Sequence, residues 1–102
     1  MEQMKKLARK MFKKITSAKK YAKCAVDEMC CYPMMAKTFY DISADDVKHV
    51  GMLHTEIDRL MREAVDAGSW GDAEQAVYDY IHESYVQMMA EVKEYQTMYR
   101  EG

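Results

Sequence analysis

An acidic residue and a histidine one helical turn apart are the side chains in this sequence best suited to chemistry. Asp46 and His49 lie in a segment where apolar residues recur every three or four positions, which predicts a helix with both polar side chains on its inward face. A carboxylate and an imidazole buried together need partners, and a metal ion or a hydrogen-bond network can supply them. The sequence therefore leaves two alternatives open, a metal site and a structural network.

The helical pattern extends over almost the whole chain and predicts three long helices. Apolar residues follow a seven-residue pattern from Met4 to Met29, and Pro33 ends this helix because proline disfavours helical geometry at the residue before it. The second helix runs from Pro33 to about Ala67, and Gly68 supplies the left-handed residue that ends it. The third runs from about Asp72 to Tyr99. No strand pattern or long linker interrupts this all-α order.

Two features could interrupt the second helix, and one point about the third stays open. The segment Ser43-Ala44-Asp45-Asp46 resembles a capping box, and Gly51 weakens a helix interior by about 1 kcal/mol relative to alanine. Because the apolar face continues in phase across both, we predict one uninterrupted helix. Either Ser69 or Asp72 can cap the third helix.

The apolar faces predict which side chains point inward. The second helix is apolar on two sides, so we predict that it is central or faces another subunit. Its inward-facing residues are Phe39, Ile42, Asp46, His49, Leu53, Ile57 and Leu60, and Val47, Val50 and Met61 join Ile57 on its second apolar edge. On the third helix they are Val77, Tyr80, Ile81, Ser84, Met88, Val92, Tyr95 and Tyr99.

Short turns make consecutive helices antiparallel neighbours and allow their register to be counted. Across the first turn a residue i should face a residue numbered about 64 − i, which sets Asp46 opposite Ala18. Across the second turn the partner of residue i is about 139 − i, which sets His49 near Ala90 and Glu91. Asp46, His49 and Glu91 are therefore the candidate ligands of a metal site, with iron or another divalent ion as the cofactor. A symmetric partner could double this set into a dinuclear site.

Composition predicts one cytoplasmic domain covering residues 1–102. A chain of 102 residues builds a single core and gains burial when it forms oligomers, so we expect a homodimer. It has no apolar run long enough to cross a membrane and no secretory segment at its N-terminus. Its three cysteines are an odd number without Cys-x-x-Cys spacing, which favours reduced thiols over a disulfide framework or a zinc knuckle.

Charge is distributed unevenly along the chain. Residues 1–23 carry nine Lys or Arg against one acid, a balance of +8, and the remainder carries six against sixteen, a balance of −10. The basic residues that open the first helix are Lys5, Lys6, Arg9, Lys10, Lys13 and Lys14. Such a face can bind nucleic acid or an anionic membrane surface. We favour a solvated face that offsets acids of this chain or of a neighbouring subunit, because no regular series of base-stacking aromatic residues is interleaved with the lysines and the Ala- and Met-rich apolar face lacks the Trp or Leu of an interfacial helix.

The segment from Phe39-Tyr40-Asp41-Ile42-Ser43 through Asp46-Val47-Lys48-His49 to Met52-Leu53-His54 resembles the second helix of ferritin-like and rubrerythrin-type proteins. The closer similarity is to small ferritin-like proteins encoded by phages and prophages. In these, Tyr21-Ala22-Lys23, Tyr78-Asp79-Tyr80-Ile81-His82-Glu83 and Ala90-Glu91-Val92-Lys93 also have counterparts. The resemblance implies a ferritin-like bundle completed by dimerisation and, in the family, metal ligands from a Glu-x-x-His motif.

This chain departs from the family pattern in two places. The family's Glu-x-x-His is Asp-x-x-His here, at Asp46 and His49, and the shorter acid reaches less far. The first helix should also supply a carboxylate opposite that pair, but Thr16 and Ser17 occupy those positions. Its nearest acids, Asp27 and Glu28, are roughly 15 Å away along the helix.

A second Asp-x-x-His, formed by Asp79 and His82, falls opposite Leu60 and Ile57 and close to Glu56. It lies off the main apolar face, so we predict that it is on the surface.

The leading functional hypothesis is a non-catalytic, oligomeric binding or assembly protein of phage or prophage origin, with a phage or host protein as partner. The alternative is a ferritin-like metal-binding protein, either di-iron or iron-handling, with a degenerate site at Asp46, His49 and Glu91. A third hypothesis is a binder of anionic surfaces that uses the lysines of the first helix. Enzymatic activity is not favoured, since no nucleophile triad, phosphate loop, dinucleotide fingerprint or zinc spacing is present.

Overall fold

The computed structural model describes all 102 residues and contains three helices and no strand. They are α1, Glu2–Glu28; α2, Pro33–Asp66; and α3, Asp72–Glu101. Consecutive helices are antiparallel and form an up-down-up bundle of 56 × 17 × 17 Å. The all-α, three-helix prediction is confirmed, including the single helix through Gly51. None of the three helices has the length and apolarity needed to cross a bilayer.

The two turns follow from local backbone chemistry. Pro33 begins α2, and the N–H of Tyr32 just before it donates back to the carbonyl of Glu28 at 2.8 Å. After α2, Gly68 takes the predicted left-handed conformation with φ of 74°. The predicted caps of α3 are wrong: its N-cap is Gly71, whose N–H donates to Glu74 Oε1 at 2.8 Å.

Ser69 lies two residues before the N-cap of α3 and contacts the preceding helix. Its N–H and its hydroxyl both donate to the carbonyl of Ala64, at 2.9 Å and 3.2 Å. Ser69 therefore closes α2.

The core is a seam of residues that recur in alternating steps of four and three. On α1 the buried members are Met4, Ala8, Met11, Ile15, Ala18, Ala22 and Ala25. On α2 they include Ala36, Ser43, Val50 and Ile57, each seven residues from the next. A repeat of seven keeps one face of a helix against near-parallel neighbours over its whole length. The small side chains of α1 allow close approach, and α1 packs tightly against both α2 and α3.

The counted register of both helix pairs is confirmed by direct contacts. Across the first turn, Ser17 bonds to Asp46, one residue from the predicted partner. Across the second, Ser43 contacts Gln96 and Tyr40 stacks on Tyr99, and both pairs fit 139 − i.

Two predicted inward positions are wrong. His49 is exposed, because a step of three residues from Asp46 turns about 60° short of a full circle and leaves the seam that continues through Val50. Tyr80 is 70% exposed for the same reason on α3, one residue before the buried Ile81. Ile42 and Leu53 on the same flank as His49 are half-buried. The seam is therefore narrower than the apolar pattern suggested.

Candidate functional site

The predicted ligand Asp46 is buried and bonded to α1. Its side chain lies in the seam with 7% of the residue exposed. Ser17 Oγ donates to its Oδ2 at 2.6 Å, and Lys14 Nζ lies 3.7 Å from its Oδ1. These contacts are of the kind that the hydrogen-bond-network alternative predicted for this carboxylate.

The other two predicted ligands lie apart from Asp46. His49 is exposed on the wall of a groove between α1 and α2. Glu91 is also exposed and forms a salt bridge with Lys19. No group of three or more His, Cys, Asp or Glu side chains is arranged to hold a metal ion. The helix register places His49 and Glu91 at the same height along the bundle, but their side chains project from different sides of it. The three predicted ligands therefore do not form a group within the chain.

A buried polar junction joins all three helices just beside Asp46. Ser43 Oγ of α2 donates to the carbonyl of Ala18 of α1 at 2.7 Å. The amide of Gln96 on α3 donates to the same hydroxyl at 3.0 Å. No buried side-chain polar atom in the protein lacks a hydrogen-bond partner. A fully satisfied network of this kind fixes the register of packed helices.

A groove of about 560 Å³ runs beside Asp46 between α1 and α2, and we call it the basic groove. Its lining residues are Lys10, Lys13, Lys14, Ser17, His49, Met52 and Leu53. Three ammonium groups stand at its rim, while Met52, which is 69% exposed, and the half-buried Leu53 supply an apolar floor. The groove therefore suits a ligand with both negative charge and apolar surface.

Most of the positive charge of α1 is not neutralised by this chain. Of the nine Lys and Arg residues in α1, only Lys14 and Lys19 have a carboxylate within 4.0 Å. Lys10 and Lys13, at the rim of the basic groove, have none. The favoured prediction of a solvated basic face fits these two residues, because both are exposed and neither forms an ion pair within the chain.

A second group of polar side chains, which we call the imidazole cluster, lies between α2 and α3. His54 Nε2 is 3.5 Å from His82 Nδ1, and His54 Nδ1 is 3.6 Å from Asp58 Oδ2. The Tyr78 hydroxyl donates to Asp58 Oδ1 at 2.7 Å, and the Tyr85 ring stacks on His54 with centroids 4.3 Å apart. Burial, followed by the hydrogen bond to Asp58 and the charge of that carboxylate, raises the pKa of Tyr78 to about 12.

Asp79 and His82 were predicted to lie on the surface, and both are exposed. Only His82 belongs to the imidazole cluster. The contact of His82 with His54 was not predicted. The helix register could have indicated this contact, because His54 lies only one helical turn from the α2 position opposite His82.

Replacing Tyr78 with phenylalanine should change how stability depends on pH. The phenol ionises near pH 10 in an unfolded chain but near pH 12 in the folded protein, so between these values the unfolded chain binds fewer protons. The free energy of unfolding of the wild type should therefore decrease as the pH rises from about 10 to about 12. In Tyr78→Phe this decrease should be smaller, because the phenol that causes it is absent. Below about pH 10 the wild type should be more stable by about 1 kcal/mol, the worth of one hydrogen bond.

Urea unfolding from about pH 8 to about pH 12 measures both effects. Tyr80→Phe is the matched control, because it removes an exposed hydroxyl that has no partner in the chain. If the curves of wild type and Tyr78→Phe stay parallel throughout, the assigned role of the Asp58 contact is wrong.

Comparison of the sequence with protein-family models, curated proteins and solved structures finds no match. The resemblance to small ferritin-like proteins of phages and prophages therefore stays a prediction.

Proposed function

We propose that the protein is a non-catalytic binding module that holds an acidic, amphipathic helix of a partner protein in the basic groove. The observation that supports it most directly is the combination of an unneutralised cationic rim, at Lys10 and Lys13, with an apolar floor, at Met52 and Leu53. An amphipathic helix lays its apolar side into such a groove and its acids along the rim.

The lining of the groove favours a protein segment over other anions. No Phe, Tyr or Trp side chain lines it, and His49 is the single ring that could stack on a base, so the row of aromatic side chains that holds single-stranded nucleic acid is missing. A bilayer would need several bulky apolar side chains that project together, whereas this groove offers only Met52 at the surface and a half-buried Leu53. An acidic helix requires only what the groove offers, which is charge at the edges and apolar contact below.

A second copy of the chain offers an acidic helix face. Residues 24–102 carry a balance of −10, and the outer face of α3 presents Glu83, Glu94 and Glu101, which are exposed and form no salt bridge. Ala76 and Ala90 provide small apolar positions on this outer face. The proposal thus accounts for the expected homo-oligomer, and it extends to a phage or host partner with a similar acidic helix.

Charge reversal at the rim should weaken this association. Sedimentation of the wild type should show a dimer that dissociates as salt is raised, since screening weakens contacts between exposed charges. The variant Lys10→Glu/Lys13→Glu should raise the dissociation constant by at least about tenfold, which corresponds to about 1.4 kcal/mol. A labelled peptide spanning residues 76–101 should bind the wild type and lose affinity for the variant in the same way.

Lys20→Glu/Lys23→Glu is the matched control, because it reverses two exposed charges of α1 outside the groove. The proposal fails if the two double variants lose the same affinity, or if the rim variant self-associates and binds the peptide as the wild type does. Stronger binding to a duplex DNA of the same charge than to the peptide would also overturn it, in favour of nucleic acid.

A further inference from the structure

Two imidazole nitrogens from different helices converge in the imidazole cluster. His54 Nε2 of α2 and His82 Nδ1 of α3 are 3.5 Å apart, although 28 residues separate them in the chain. The His82 residue is exposed and the side chain of His54 is 20% exposed, so water and small ions can reach both rings. The function proposed for the basic groove does not use these residues.

We propose that His54 and His82 together bind a divalent transition-metal ion of the zinc class. Two nitrogens 3.5 Å apart, each about 2.05 Å from one ion, subtend an angle of about 117° at that ion. This is close to the tetrahedral angle that zinc adopts, whereas adjacent ligands of a square-planar ion would stand only about 2.9 Å apart. The χ2 angle of histidine is broadly distributed, so each ring can turn to aim its nitrogen lone pair at a shared ion.

The surroundings of His54 match the arrangement found behind metal-binding histidines. A ligating imidazole usually donates its other N–H to a carboxylate, which fixes its tautomer and orientation. Asp58 Oδ2 lies 3.6 Å from His54 Nδ1, within reach of a small adjustment, and Tyr78 holds the other carboxylate oxygen at 2.7 Å. Tyr85 packs on one face of the His54 ring. Asp58 is therefore a positioning residue for His54.

Two protein ligands define what kind of site this is. Structural zinc sites use four protein ligands and catalytic ones use three, and this cluster contains no three-residue group. Water would complete the coordination, and the ion would exchange readily. Because its ligands come from α2 and α3, a bound ion would link two helices that otherwise contact each other through long side chains. The melting temperature should therefore increase as the zinc concentration is raised. These residues are separate from Asp46, His49 and Glu91.

Calorimetric titration of the full chain with zinc chloride tests the proposal, supported by the visible spectrum of the cobalt form. Cys24, Cys30 and Cys31 should first be changed to serine in every protein used, because thiols bind zinc and the sulfurs of Cys30 and Cys31 lie 3.3 Å apart. We expect about one ion per chain and a nitrogen- and oxygen-ligated cobalt spectrum. His82→Ala should weaken binding by at least about tenfold, and Asp58→Asn should weaken it to a smaller extent.

His49→Ala is the matched control, since it removes an exposed histidine outside the cluster, and it should bind zinc as the parent does. His82 is exposed, so its replacement should leave the fold intact, which circular dichroism can check; His54→Gln gives a second variant. The proposal is overturned if the parent binds no zinc at about 1 mM, if His82→Ala and His54→Gln bind it as the parent does, or if His49→Ala loses as much affinity as they do.

Discussion

Replacing Ser43 with leucine is expected to destabilise the protein by about 2 to 6 kcal/mol, because the change adds volume to the core and also removes a buried hydrogen bond. Ser43 is completely buried, and its hydroxyl lies 2.7 Å from the Ala18 carbonyl, so the α2 side chain touches the backbone of α1. A leucine there must push the helices apart, which costs about 1 to 3 kcal/mol or more. It also removes the oxygen to which the buried Gln96 amide donates, which costs about 1 to 3 kcal/mol.

Urea unfolding followed by circular dichroism measures this loss. Ser43→Ala separates the two costs, because it removes the hydroxyl without adding volume and should lose only the hydrogen-bond part. Thr55→Leu adds a similar side chain at an exposed position of α2 and should change stability by less than about 0.5 kcal/mol. Equal stability of Ser43→Leu and Thr55→Leu would mean that the helices are not in close contact at Ser43.

Truncation of Ile15 to alanine is expected to cost about 2 to 5 kcal/mol. Ile15 is 1% exposed and belongs to the main core cluster. Only 16 of the 102 residues are buried, so few side chains share the stabilisation of this slender bundle. Domains are typically stable by about 5 to 15 kcal/mol, and this one change should therefore remove a large part of the total.

Thermal and urea unfolding of Ile15→Ala should both show the loss, with the slope of the urea transition unchanged. Val86→Ala is the control, because Val86 is 50% exposed and its truncation opens no cavity. A loss at Ile15 no greater than that at Val86 would argue against a shared seam among the three helices.

The helix bounds and the register were predictable because their determinants are local. Pro33 and Gly68 act through their own backbone geometry, and the short turns that contain them leave little freedom in how the helices align. The contact between Ser43 and Gln96 therefore appears where counting along the chain places it.

The direction of individual side chains was harder to predict. His49 follows Asp46 at the spacing of three or four residues that marks the inward face of α2. Whether a residue at that spacing is buried depends on where the neighbouring helices lie. The cap of α3 depended on where the first turn begins, because a start at Asp72 makes Gly71 the N-cap. His54 was missed because a count of register gives the level of a residue but not the flank from which its ring projects.

The odd number of helices sets where the ends of the rod stand. Met1 lies beside Trp70 at the turn between α2 and α3, and Gly102 lies beside Met29 at the other turn. The long axis measures 56 Å, so anything joined to residue 1 and anything joined to residue 102 would be held at opposite poles, roughly 50 Å apart. A short, stiff connection between two copies would therefore set them end to end along one axis.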